Sequence, residues 1–168
     1  MFGSAEKHLS RRDLVSCMEL GKILTAELEP DRLFGLIMGK LSDMIPAAIW
    51  SLLLVDRDTG ELFFKLSVDL DANDMNGIRI SPAQGIAGRA AKLKKPIVVR
   101  AVTACQFFDN RVDILSGVAT KSVLCVPLIF GNECVGVIEA INPRETSGKT
   151  LALLHYISEY AAIAVENT

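Results

Sequence analysis

Gly85-Ile86-Ala87-Gly88, then Val112-Asp113, then Ser116-Gly117-Val118-Ala119-Thr120-Lys121-Ser122-Val123-Leu124-Cys125-Val126-Pro127-Leu128, and finally Gly136-Val137-Ile138-Glu139-Ala140-Ile141-Asn142 decide how this chain is read. The two apolar runs, Ser122 to Ile129 and Glu133 to Ile141, have strand length and composition, and Gly131-Asn132 between them suits a tight turn. Side chains alternate along a strand, so Val137, Glu139 and Ile141 share one face while Ile138 and Ala140 share the other. A carboxylate in so apolar a strand must reach water or a polar partner. Glu139 therefore marks its face as the side of a polar cavity.

Working outward, Pro82 to Lys94 reads as a short helix entered through Gly85 and Gly88, whose spacing fits tight packing of helix on sheet. Pro96 to Val99 is a strand, Arg100 to Asp109 is irregular, and Asn110 to Leu115 is one or two helical turns. Upstream, Ala48 to Val55 and Glu61 to Val68 form a hairpin across the turn Asp56-Arg57-Asp58-Thr59-Gly60. Asp69 to Gly77 is a loop, and Ile78 to Ile80 a short strand. Trp50, Phe63 and Phe64 belong to the hairpin core. Pro30 opens a helix whose Leu33, Phe34, Ile37, Met38, Leu41 and Ile45 form one broad apolar face. Before it, Arg12 to Glu27 is a helix with a narrow stripe at Leu14, Met18, Gly21, Leu24 and Leu28. The tail from Lys149 to Asn167 is helical, with Leu153, Leu154, Ile157, Tyr160, Ala161 and Ala164 on one face, and Leu154, Ile157, Ala161 and Ala164 are expected to join the stripe of the first helix in a two-fold helix–helix seam. Hairpins dominate, so the expected class is α+β: a mainly antiparallel central sheet of five to six strands. The terminal helices pack on one face, and the pocket loops and short helices on the other.

Half of the 168 residues are hydrophobic and 23% are charged, which supports a full core. The net charge of −2, with no basic stripe, argues against nucleic acid as a partner. No apolar run approaches the ~20 residues of a membrane span, and the first twelve residues lack a signal-peptide pattern; the expected location is cytoplasmic. Cys17, Cys105, Cys125 and Cys134 are too scattered for a disulfide framework. With His8 and His155 far apart and no CxxC pair, zinc ligation is not expected either. Cys105 is the thiol read as accessible, and no residue pattern fixes a cofactor.

The order and spacing of these motifs resemble the GAF family of small-molecule-sensing domains, over roughly residues 30–167. The resemblance implies a helical extension at 1–29 and a sensor domain at 30–168. It also implies a non-enzymatic role: a regulatory domain of a signal-transduction protein, reporting ligand binding through its terminal helices in a homodimer. The nearest flavour is that of cyclic-nucleotide phosphodiesterase regulatory domains, in which the positions matching Asp113, Thr120 and Glu139 lie at the nucleotide. A carboxylate accepts from a ring N–H or amine, and a hydroxyl both donates and accepts. Phe107 and Phe108 are placed with them as apolar walls or a stacking surface. The chain departs from the nucleotide-binding pattern, because Pro143 follows Asn142 where those members have Lys, and Ser147-Gly148-Lys149-Thr150 offers neither their Phe nor their acidic pair. Tight cyclic-nucleotide binding is therefore not expected.

Two other roles compete. One is a ligand-free dimerisation module with a collapsed pocket. The other is enzymatic: proteins of this fold include reductases of free methionine sulfoxide, which need a nucleophilic thiolate and a resolving thiol in reach. The discriminating observation is whether two sulfurs share the pocket.

Overall fold

The termini of the helices follow from local chemistry. In the computed structural model, which describes residues 9–26, 29–69, 75, 77–82 and 84–168, the first helix α1 runs Arg11–Ala26. Ser10 and Asp13 cap it reciprocally: Asp13 N donates to Ser10 Oγ at 3.2 Å, and Ser10 N donates to the Asp13 carboxylate at 3.0 Å. Helix α2 (Pro30–Met44) starts on its proline and buries Leu33, Phe34, Ile37, Met38 and Leu41. Helix α5 (Gly148–Glu166) is capped by Ser147, whose hydroxyl accepts from Thr150 N at 3.4 Å.

Between them lie six strands: β1 (Ile49–Val55), β2 (Leu62–Val68), β3 (Arg79–Ile80), β4 (Ile97–Val99), β5 (Val123–Phe130) and β6 (Glu133–Ile141). They form one sheet in the order β3-β2-β1-β6-β5-β4, with every neighbouring pair antiparallel. The short helices α3 (Gly85–Leu93) and α4 (Arg111–Ser116), and a 3-10 turn at Val102–Ala104, connect β3 through β5. The architecture is α+β, as the sequence predicts.

Strand β6 lies at the centre, with β1 on one side and β5 on the other. Both of its faces are covered, which accounts for its nearly continuous apolar run. On one face Trp50, Leu52, Leu124, Val126, Ile138 and Ala140 pack with α1, α2 and α5. On the other, Leu53, Val123, Cys125 and Val137 pack with Ile86, Ala87 and Ala90 of α3 and with Val102. The alternation read from the sequence is thus the actual division of the core.

Three expectations change. Phe63 is half-buried and sits under the Arg79 guanidinium, 5.3 Å from its ring centre, while its neighbour Phe64 is in the core. Helix α1 is not held by a narrow stripe: Leu20, 1% exposed, enters the core with Cys17 packed against it, and Leu14 and Met18 point outward at 44% and 65% exposure. One residue of phase is 100° on a helix, and α1 carries apolar residues on two adjacent faces. Leu28 and the side chain of Leu24 lie outside the described residues. Finally, Leu154, Ile157, Ala161 and Ala164 of α5 are buried in the domain's own core.

Helices α1 and α5 run side by side in the same direction. Asp13, near the start of α1, pairs with Lys149 near the start of α5 at 3.0 Å. Further along, Gly21 faces Tyr160, where an added Cβ would lie 3.8 Å from the hydroxyl.

Candidate functional site

Strand β6 delivers Glu139 to the α3 side of the sheet, between Ser51 of β1 and Cys125 of β5. There it borders a cavity of about 30 Å³, whose rim carries Phe108, Asp109, Arg111, Asp113 and Thr120. Ile78, Ile80, Ile86, Val123 and Ile141 supply its aliphatic walls. A cavity of about 30 Å³ has room for little more than a water molecule or two.

Glu139 is only 9% exposed, and its one described hydrogen bond comes from the Cys125 thiol, Sγ to Oε2 at 3.3 Å. Burial pushes its pKa up to about 7; the thiol's hydrogen bond opposes the shift, and the charge of Asp109 adds to it. Near neutral pH this carboxyl group is balanced between an acid that donates and a carboxylate that accepts. The Cys125 thiol is itself held well above the usual thiol range, first by burial and then by Glu139 beside it. It is a buried packing group, not a thiolate.

The cover of the cavity is tied down by its own polar groups. The Asp113 carboxylate accepts from Thr120 N at 2.9 Å and from the Thr120 hydroxyl. This bridges the start of α4 to the strand entry across Gly117, whose φ of +70° caps the helix. Arg111 forks onto Asp109 through Nε and Nη2 at 2.9 and 2.7 Å. Burial raises the Asp109 pKa, but the Arg111 hydrogen bonds outweigh it and hold the carboxyl below the usual range. Asn142 closes the far side: its Oδ1 accepts from Lys121 N at 2.7 Å and Ser122 N at 3.1 Å, and its Nδ2 donates to Ala119 O at 3.0 Å. Its φ of +51° is a conformation that asparagine tolerates better than most residues.

Of the five residues singled out from sequence, Phe108, Asp113, Thr120 and Glu139 line this one cavity. Phe107 lies elsewhere, 42% exposed on a neighbouring groove, with the Arg89 guanidinium 3.4 Å above its ring. Asp109, Arg111 and the clamping role of Asn142 were not singled out. The available signals were the Asp-Asn-Arg run before a helical turn and an asparagine set directly after a long strand. Gly85 lines the cavity, whereas Gly88 serves packing: a Cβ on it would collide with the Ser81 carbonyl oxygen, so this glycine lets α3 seat against the chain that enters it.

The profile of the GAF domain family matches residues 29–165. The chain belongs to the GAF domain family. A probable 3′,5′-cyclic phosphodiesterase (pde-5) of Caenorhabditis elegans is 23% identical over 118 residues, covering 65% of this chain. The chain spans only 16% of that relative's length. Among solved structures, the GAF domain of a phosphoenolpyruvate-protein phosphotransferase from Coxiella burnetii superposes with a TM-score of 0.83 at 17% identity, covering 92% of each chain. The free methionine-R-sulfoxide reductase of Neisseria meningitidis superposes with a TM-score of 0.77 at 16% identity, covering 95% of this chain and 93% of that one. At such identities the superpositions establish the fold. Family and signalling relative together support a regulatory sensor domain. No described helix of this GAF domain is long and apolar enough to cross a membrane.

Proposed function

We propose that this GAF domain senses a small molecule in the cavity at Glu139 and passes the event to its terminal helices, as the regulatory part of a signalling protein. The observation that carries the reading is Glu139 itself. A buried carboxyl group costs stability, and here it faces the hydrogen-bonding groups of Asp113 and Thr120 across the cavity. A ligand with polar hydrogens would take over the acceptor sites of Asp113 and Glu139, and release of Thr120 from Asp113 would open the α4 cover. The route outward is short, because β6 carries Glu139 on the cavity side and Ile138 and Ala140 against α2 and α5 on the other.

The output we propose is a homodimer through α1 and α5. Leu14, Val15, Met18 and Ile163 are 44%, 45%, 65% and 48% exposed on these helices. Large apolar groups on adjoining parallel helices suit a symmetric helix–helix seam.

A second reading is favoured by one observation. The cavity holds about 30 Å³, which fits a ligand-free dimerisation module. The reductase reading finds less support. Cys125 is buried beneath Glu139, Cys105 lines a different groove, Cys17 lies under Tyr156 and Tyr160, and Cys134 bonds Gly136 O. Neither the Glu139 cavity nor the groove beside Cys105 is lined by two sulfurs.

Thermal shift against a panel of amines, purines and pyrimidines separates the first two readings. Sensing predicts at least one stabilising compound whose effect disappears in Glu139→Ala and Thr120→Val. A flat panel that includes concentrated deproteinised cell extract supports the ligand-free module. Calorimetry with cyclic AMP and cyclic GMP is expected to show no sub-micromolar binding, since Asn142 is committed to the 119–122 backbone and Pro143 follows it.

A further inference from the structure

We propose a second ligand site, separate from the Glu139 cavity: the groove along the free edge of β4, which takes a small organic anion, a carboxylate on an apolar body. The groove has a volume of about 530 Å³, inside the range of small-molecule sites. Its walls are Ile86, Ile97, Val99 and Phe107, and its charged groups are Arg89 and Arg100. No acidic side chain lines it, and neither arginine pairs with a described carboxylate. Three other arginines are matched by carboxylates: Arg57 with Glu166, Arg79 with Asp56 and Arg111 with Asp109. Two unmatched guanidiniums over an aliphatic floor leave a concave positive field that an anion would complete.

The Arg89 guanidinium is also set in place. It lies 3.4 Å above the Phe107 ring centre, so the stack fixes its plane while its in-plane N–H groups stay available for a carboxylate. Strand β4 ends the sheet order, so one side of its backbone has no strand partner and offers further donors beside the same groove. An apolar body would lie on Ile97 and Val99, with its carboxylate toward the arginines.

The test is an amide NMR titration of the full chain with 4-phenylbutyrate, and with 4-phenylbutanamide as the neutral counterpart of the same shape. The expected result is saturable shifts at residues 86–89 and 97–107 with the carboxylate and none with the amide. Arg100→Gln should weaken binding about tenfold or more, the scale of one lost hydrogen bond to a charged group. Arg100 is exposed and outside every described hydrogen bond, so this variant keeps the fold. Arg89→Lys, which keeps the charge and loses the fork, should weaken it as well. Glu139→Ala should leave this titration unchanged, so failure of the cavity proposal and failure of this one are distinguishable. Equal binding of the amide, or indifference to both arginine variants, would overturn the anion assignment, as would the absence of saturable shifts at 10 mM probe (roughly −2.7 kcal/mol of binding). Binding of the extended peptide acetyl-Glu-Val-Glu-Val-Glu-amide without any binding of 4-phenylbutyrate would overturn the small-molecule assignment in favour of strand addition at β4.

Discussion

Glu139 carries a cost that depends on pH. Its carboxyl titrates near 4.3 in an unfolded chain and at about 7 in the fold. The folded state therefore holds the extra proton between those values, and stability falls as pH rises through that window. Glu139→Gln removes the effect. Relative to the native chain, the variant should gain on the order of 2–3 kcal/mol between pH 5 and pH 8. Urea unfolding at the two pH values checks it, and parallel curves would show that Glu139 titrates normally. Asn142 works in the opposite sense, contributing three hydrogen bonds and a left-handed turn. Asn142→Ala should cost roughly 2–4 kcal/mol and loosen amide exchange at 119–122. At this scale the sequence is legible where it is periodic. The face of Glu139 follows from counting by two along β6, and the structure has it there. Phe107 and Phe108 are consecutive residues in an irregular segment, where no period says which faces the cavity. Only the chain path around the 3-10 turn divides them between cavity and groove.

Among the elements, α3 depends on a backbone approach. Gly88→Ala would push a methyl group into the Ser81 carbonyl oxygen, a backbone atom that cannot rotate aside. The expected loss is about 1–3 kcal/mol of overpacking, read as a lowered urea midpoint with an unchanged slope. A fully native midpoint would mean that α3 shifts freely. The elements themselves are legible because their ends are chemical: Pro30 as a helix start, and Gly131 at φ +61° in the β5–β6 turn. The orientation of α1 was less so. Leu14, Met18 and Gly21 make one helical stripe and Cys17 and Leu20 the next. Both are apolar, and which of them faces inward depends on where α5 and α2 lie, which is tertiary information. The α5 helix is apolar nearly all round, so its buried Leu154 and Ile157 and its exposed Ile163 look alike in sequence.

At the scale of the molecule, the sheet divides two cores, one shared with the terminal helices and one with the cavity, and β6 belongs to both. In the proposed function, sensing and output use opposite faces of that one strand. Leu14→Glu with Met18→Glu should turn a dimer into monomers without loss of the sheet, since neither side chain is in the core; light scattering and circular dichroism check the two halves. The measurement that tests the central claim most directly is native mass spectrometry of the chain after exposure to deproteinised, undialysed cell extract. The account predicts a dimer carrying a small-molecule adduct that is lost in both Glu139→Ala and Thr120→Val. A chain that stays bare, or an adduct that both variants retain, would contradict it.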